Sequence, residues 1–402
     1  MNSVDSAVPT SGPAPVLFAY AFRPFFLLAA IYALVLIGGW MGVWFFGWPL
    51  AGELPPMAWH AHEMLYGLVS AAIAGFLLTA MCNWTGAAPL AGRALAALVG
   101  LWLAGRLAMW TSAWLPAAVI MAVDLAFLLV LAVYAGQVII RSGNRRNLIL
   151  VAVLAVLLLG NLITHLGLWW LGPDWIRRGE LTGLFLIVLL MVIIGGRITP
   201  AFTRNWLVRH GYSPLVVHSW PWLEKLALGS AVLLVAAVIV GLPTGVVAAL
   251  ALLAGLIHGL RLIGWSGWRG WSDPLIWILH LGYAWVVVGL LLKGYTLFNP
   301  AMPDSVWLHA LGVGAMGTLI LGVMTRVSLG HTGRALILPT GAWMIYLAIS
   351  LSALVRVLAS AGLLEGRWPL WLAALGWFVA FALFLYHYTA ILISPRADGR
   401  TG

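Results

Sequence analysis

Leu148–Gly160 has the sequence LILVAVLAVLLLG, and this charge-free run decides the fold. Similar runs occur at Ala231–Val240 and Val246–Ile257. A chain in lipid must satisfy its own backbone hydrogen bonds, which restricts it to a helix or a closed barrel. Barrel strands alternate lipid-facing apolar residues with lumen-facing polar residues, and these runs do not alternate. The sequence therefore predicts membrane-spanning helices.

The composition extends this prediction to the whole chain. Of the 402 residues, 63% are hydrophobic and 8% are charged, and the mean hydropathy is +1.03. A water-soluble fold is excluded by these values. Apolar runs of about 20 residues between polar or Pro/Gly breaks predict an all-α polytopic protein with about twelve transmembrane helices in one domain, residues 22–394. The predicted spans are 22–47, 57–81, 90–110, 114–140, 147–171, 179–197, 220–241, 243–265, 273–297, 304–326, 337–361 and 367–393.

The basic residues indicate the orientation of these spans. With both termini cytoplasmic, most of the 21 Lys and Arg residues fall on the cytoplasmic side, as the positive-inside rule requires. The net charge of +10 is therefore a topology signal, and no nucleic-acid partner is expected. Residues 1–21 are predicted to form a flexible polar segment, not a cleaved signal peptide, and residues 395–402 a cytoplasmic tail. The basic residues outside this pattern are Arg106, Arg177, Arg178, Lys293, Arg356 and Arg367.

The ten histidines are the first candidates for function, because polar side chains deep in a membrane are costly. Cys82 is the only cysteine, so a metal would be held by imidazole, carboxylate or thioether groups. His60 and His62 lie two residues apart, about 200° around a helix, and should face different neighbours. Glu63 is three residues from His60, where it could orient the imidazole or bind a metal. The alternative is a polar helix end solvated by headgroups and water.

Two further histidines are predicted at the depth of His60. They are His165 in the fifth span and His309 in the tenth, and both are candidate metal ligands. Gly312, Gly314 and Gly317 follow His309 and allow a close approach of either a helix or a flat macrocycle. The sequence therefore predicts imidazoles from separate spans at a common depth.

The remaining histidines are predicted to lie at other sites. His280 in the ninth span is expected at a deeper or inner site, and His331 follows the tenth span in a cytoplasmic loop. For His258 and His387, a hydrogen-bonded structural role is the preferred interpretation.

Three charged residues within spans also need an explanation. Asp124 lies near the middle of the fourth span, where it would take part in a proton path, pair with a cation, or stay neutral and hydrogen-bonded. Arg106 and Arg356 are candidates for binding haem propionates or another anion. Their alternative is to extend to the headgroups.

Four strings of sequence carry a family resemblance: FRPFF at Phe22–Phe26, WHAHEM at Trp59–Met64, GGRITPAFTRNW at Gly195–Trp206, and the run Leu308–Arg334. Together they resemble the NnrS family over almost the whole chain. The resemblance implies a bacterial inner-membrane protein with twelve spans, haem and copper, linked to nitric oxide metabolism in denitrifiers and to nitric oxide tolerance. The metal-site residues that the resemblance implies are His60, His62, His280, His309 and His331, and all of them except His280 lie inside the four strings.

The leading functional hypothesis is a haem protein, with copper as a further candidate metal, that binds nitric oxide or another diatomic ligand. The electron donor is left open. An alternative is a membrane oxidoreductase similar in architecture to haem-copper oxidases and nitric oxide reductases, although the sequence has no adjacent His-His pair for a conventional copper site of that class. A transporter is a third hypothesis, but no internal repeat supports it.

Overall fold

The computed structural model describes residues 15–49 and 54–400. Twelve helices in this part of the chain are long and apolar enough to cross a membrane, which confirms the predicted all-α polytopic fold. Residues 1–14 of the predicted flexible segment and residues 401–402 of the predicted tail lie outside the described residues. The helices are α1 (Phe22–Phe46), α2 (Pro56–Thr85), α3 (Gly92–Trp110), α4 (Ala117–Arg141), α5 (Arg145–Leu171), α6 (Pro173–Arg209), α7 (Pro221–Val240), α8 (Thr244–Gly264), α9 (Pro274–Thr296), α10 (Ser305–Gly330), α11 (Trp343–Ser360) and α12 (Trp368–Ile393).

Proline and glycine set several helix ends. Pro173 occupies the first position of α6, where a backbone N–H has no helical partner to lose. Gly241 ends α7 with a φ of 77°, a left-handed conformation that glycine adopts without a steric penalty. The predicted start of the eleventh span at residue 337 is wrong, and α11 begins at Trp343. Pro339 and Gly341, whose φ is 82°, form a turn at this point instead.

Helix α6 shows the largest departure from the predicted boundaries. The sequence predicted a span over 179–197, whereas α6 runs over Pro173–Arg209 and continues through Pro200. At 1.5 Å per residue it is about 55 Å long, against about 30 Å for the hydrocarbon core of a bilayer. The helix therefore extends beyond the membrane. Arg204 anchors its end by donating hydrogen bonds to the Val217 carbonyl at 3.2 Å and the Ser219 hydroxyl at 2.8 Å.

Helices α2, α6 and α10 lie at the centre of the bundle. The most apolar 18-residue stretches of these three helices are 78%, 72% and 67% buried, compared with 33% for α4. Consecutive helices pack in pairs, α5 on α6, α8 on α9 and α11 on α12, and α1 also packs on α12. Helix α2, which carries His60 and His62, is therefore surrounded mainly by protein.

Candidate functional site

Seven polar side chains from five helices form a buried group beside α2, called here the carboxylate cluster. Each residue is at most 7% exposed. Because an unpaired polar group at this depth would be costly, the contacts among the seven side chains decide whether the group is stable. The members are Tyr32 of α1, His62 and Glu63 of α2, Arg106 of α3, Asp124 of α4, and Asn161 and His165 of α5.

Arg106 joins the two carboxylates of the cluster. Its Nη1 donates to Glu63 Oε1 at 2.5 Å, and its Nη2 pairs with Asp124. The hydroxyl of Tyr32 donates to the other oxygen of Glu63. The guanidinium lies directly against α2 because Gly67 has no side chain, and a Cβ there would be 2.6 Å from Nη1. Arg106 is thus bound by carboxylates of the protein, although the sequence suggested haem propionates or another anion as its partner.

The two histidines of the cluster meet at Asp124. His62 Nε2 lies 3.2 Å and His165 Nε2 lies 2.9 Å from Asp124 Oδ2, and Asn161 Nδ2 donates to the same oxygen at 2.7 Å. The other ring nitrogen of His62 lies 2.8 Å from Glu63 Oε1. One potential ligand atom each from His62, Asp124 and His165 lies within 4.8 Å of the others. Two imidazoles and one carboxylate form a donor set that copper, zinc or iron accepts.

The charge balance of the cluster leaves room for one cation. When the imidazoles are neutral, the carboxylates of Glu63 and Asp124 face a single guanidinium, that of Arg106. One net negative charge in a buried site is costly unless it is compensated. Either a proton on an imidazole or a bound metal ion supplies the missing positive charge. A proton and a metal ion therefore compete for the same place.

His60 faces a second site, called here the His60–His309 cavity. Its ring stacks on Trp40, with the ring centroids 4.2 Å apart. The cavity lies among α1, α2, α10, α11 and α12, and Arg356 of α11 and Trp377 of α12 also line it. The structure therefore places His60 and His62 in different surroundings, as their separation around the helix predicted.

The hydrogen bonds in this cavity leave ring nitrogens available. His309 Nδ1 donates to the Ser305 carbonyl at 2.7 Å, because a carbonyl oxygen can only accept, and its Nε2 therefore carries the lone pair. His60 Nδ1 is buried without a hydrogen-bond partner. Arg356 donates one hydrogen bond to the Ser360 hydroxyl at 2.7 Å. Two imidazoles, each with a ring nitrogen available to bind a metal, and one guanidinium therefore line a single cavity.

Wide helical turns accompany three of these histidines. The π-helical segments Glu63–Val69, Gly167–Leu171 and Ala310–Gly317 begin one or two residues after His62, His165 and His309. Such turns are rare and occur frequently at functional sites. Backbone geometry thus marks two histidines of the carboxylate cluster and one of the His60–His309 cavity.

Two predicted metal residues lie elsewhere. His280 Nε2 is 2.9 Å from the Thr203 hydroxyl, and the side chain lines neither the cluster nor the cavity. His331 follows the end of α10 and lines a separate cavity. The structure therefore does not bring His280 or His331 together with the other predicted metal residues. His258, expected to be structural, lies 2.7 Å from the Tyr283 hydroxyl through Nδ1.

Tyr32 and Asn161 belong to the cluster but were not predicted as site residues from the sequence. Asn161 carried a usable signal, since it is a polar residue four positions before His165 and therefore on the same helix face. Tyr32 carried none, because a single tyrosine in an apolar span is unremarkable in sequence. Glu63 was expected to act on His60, but its carboxylate binds Arg106 and His62. The ion pair with α3 draws it away from His60.

The whole chain can also be compared with known protein families. A family model described as NnrS protein matches residues 16–396, nearly the whole chain, and the matched region contains both histidine sites. No curated protein matches the chain. The chain belongs to the NnrS family.

Proposed function

We propose that the protein is a haem- and copper-containing protein of the bacterial inner membrane that binds nitric oxide and acts in nitric oxide metabolism or tolerance. One observation carries the proposal: α2 presents its histidines to two adjacent buried sites. His60 lines a cavity with His309, and His62 meets Asp124 and His165. The haem, copper and nitric oxide assignments rest on the family resemblance, and these two donor sets support them.

The His60–His309 cavity has the donors that a haem needs. His60 and His309 would hold the iron, and Arg356 would bind a propionate carboxylate. The enclosed volume is about 120 Å³, below the roughly 300–1,000 Å³ of pockets for organic ligands. A haem is larger than this cavity, so its binding would require the lining side chains to rearrange; among them, Met57 and Trp44 are 60% and 52% exposed. Haem iron held by histidine binds a diatomic ligand where one of its ligand positions is open or weakly held, so one of the two histidines would have to be displaced.

The carboxylate cluster has the donors that copper needs. Glu63 Oε1 accepts a hydrogen bond from His62 Nδ1. His62 Nε2, which lies 3.2 Å from Asp124 Oδ2 and 2.9 Å from Asn161 Oδ1, would bind the metal after losing its proton. His165 supplies the second imidazole, and its Nδ1 is buried without a partner. Asn161 holds the carboxylate of Asp124 in place. These residues would fix the orientation of the ligands before the metal binds.

A membrane oxidoreductase is the second candidate function. The observation that favours it is a continuous chain of exchangeable protons beside the two sites. Tyr32 donates a hydrogen bond to Glu63, and Glu63 contacts His62. Such a chain could deliver protons to a reduction. Nitric oxide consumption by purified protein with an electron donor separates turnover from simple binding.

Site-directed variants test the assignment of each metal. The purified protein should show a haem absorption band that shifts with nitric oxide. His60→Ala and His309→Ala should lose haem and keep copper, whereas His62→Ala and His165→Ala should lose copper and keep haem, as measured by optical spectra and metal analysis. His218→Ala, at an exposed position, is the matched control. Full haem retention in all single and paired histidine variants would refute the haem site.

A further inference from the structure

Another cavity lies where the C-terminal ends of α6 and α10 meet the segment after α12, and it is called here the Arg326 cavity. Its volume is about 730 Å³. Arg209, Arg326 and Arg396 line it together with His331, and none of the described residues that line it is acidic. The predicted orientation places it on the cytoplasmic side of the membrane. Neither histidine site uses these residues.

Arg326 provides the strongest sign of a ligand. The residue is only 5% exposed, and its guanidinium carbon lies 3.9 Å from the ring centroid of Phe202. Its Nη1 is buried without a hydrogen-bond partner. Asp273 influences Arg326 through its charge, but its carboxylate caps α9 by accepting the Leu275 N–H at 2.9 Å. Because a buried donor without an acceptor is costly, an anion in the cavity would stabilise Arg326.

The other two arginines differ in how their charge is compensated. Arg396 pairs with Asp398 and donates to the His331 carbonyl at 2.8 Å. Hydrogen bonds from Arg396 lower the pKa of Asp398 to about 2, so this carboxylate is ionised at neutral pH. Arg209 is exposed and makes one hydrogen bond, from Nε to the Asn205 carbonyl at 3.3 Å. In the described structure, Arg209 and Arg326 are therefore the lining arginines without a carboxylate partner.

We propose that the Arg326 cavity binds a phosphomonoester, either a soluble one or the headgroup of a phospholipid that ends in a phosphomonoester, such as phosphatidic acid. Two uncompensated guanidinium groups match a doubly charged anion, and guanidinium binds phosphate oxygens through paired hydrogen bonds. The volume lies in the range of pockets for small organic ligands, roughly 300–1,000 Å³. Basic cavities between membrane helices on the cytoplasmic side also accept anionic headgroups.

Thermal unfolding of the full chain, followed by tryptophan fluorescence, tests the proposal. The soluble probe is glycerol 3-phosphate in neutral detergent at constant ionic strength. The lipid probe is phosphatidic acid in phosphatidylcholine nanodiscs. At least one probe should raise the unfolding temperature. Arg326→Gln should lower the affinity for that probe by about tenfold or more, as expected for a lost charged hydrogen bond. Arg269→Gln removes an exposed charge from a loop on the same predicted side and is the matched control.

The outcomes separate the two sources of phosphate. Stabilisation by glycerol 3-phosphate but not by phosphatidic acid identifies a soluble ligand, and stabilisation by phosphatidic acid alone identifies a lipid. Arg209→Gln, at an exposed position, repeats the test if Arg326→Gln does not fold. Asp398→Asn releases Arg396 and should tighten binding, a gain that misfolding cannot imitate. The proposal is overturned if neither probe stabilises the wild type, or if Arg269→Gln loses as much affinity as Arg326→Gln.

Discussion

Replacement of Arg106 by methionine should strongly destabilise the protein. The guanidinium pairs with both Glu63 and Asp124, and its removal leaves two buried carboxylates. Methionine keeps much of the side-chain volume, so the change acts mainly on charge. Even with one proton on an imidazole, the cluster then holds one uncompensated negative charge. Removing one partner of a buried ion pair costs about 3–5 kcal/mol.

An exposed ion pair provides the control for this change. Arg177 Nη2 lies 2.8 Å from Asp304 Oδ2, but the two side chains are 40% and 49% exposed. Exposed pairs contribute about 0–1 kcal/mol because water and salt screen them. Arg177→Met should therefore reduce the free energy of unfolding by no more than about 1 kcal/mol. The difference between the two methionine variants isolates the effect of burial.

Unfolding by sodium dodecyl sulfate in mixed micelles, followed by tryptophan fluorescence, measures both variants. The double variant Arg106→Met/Asp124→Asn is the sharper test. It removes one unpaired carboxylate, so a single proton again neutralises the cluster, and it should recover about 1–3 kcal/mol relative to Arg106→Met. The reasoning fails if Arg106→Met costs no more than Arg177→Met, or if the double variant is the less stable of the two cluster variants.

Three further predictions concern packing, pH and metal. Gly67→Ala should destabilise by about 1–3 kcal/mol, because its Cβ would lie 2.6 Å from the guanidinium of the cluster; Gly38→Ala, with nothing within 4 Å, should show no such loss in the same unfolding assay. Arg396 lowers the folded-state pKa of Asp398 to about 2. Their ion pair should therefore persist above about pH 4 and be lost as the pH falls towards 2. Asp398→Asn should reduce the change in unfolding temperature measured over that pH interval. Copper chelation should lower the unfolding temperature of the wild type and leave that of His165→Ala unchanged.

The sequence predicted the spans better than their ends. Charge-free runs of sufficient length have few alternatives in lipid, so the number of helices followed from composition. The boundaries of α6 did not, because polar residues after Gly196 signal only that the chain leaves the membrane. The helix continues beyond that point because Arg197 bonds to Asn147 at 2.9 Å and Arg204 bonds to the loop after α6. Those contacts depend on the folded bundle.

The site was predictable to the same limited extent. The angle between His60 and His62 follows from helix geometry alone, and it separates their surroundings in the structure. The partners of each histidine depend on which helices are neighbours, and a single sequence does not contain that information. Asp124 and Arg106 were therefore recognised as costly charges, while their mutual pairing and their contacts with Glu63 could not be predicted. The π-helical turns had no sequence signal that we could use.

The two sites are tied together by the geometry of α2. His60 and His62 are separated by about 3 Å along the helix axis. A displacement of this part of α2 therefore moves both residues. Glu63 begins the π-helical segment and bonds both to His62 and to Arg106. A change in the charge of the carboxylate cluster therefore acts on the helix turn that also carries His60. This shared helix is the physical connection between the cluster and the His60–His309 cavity.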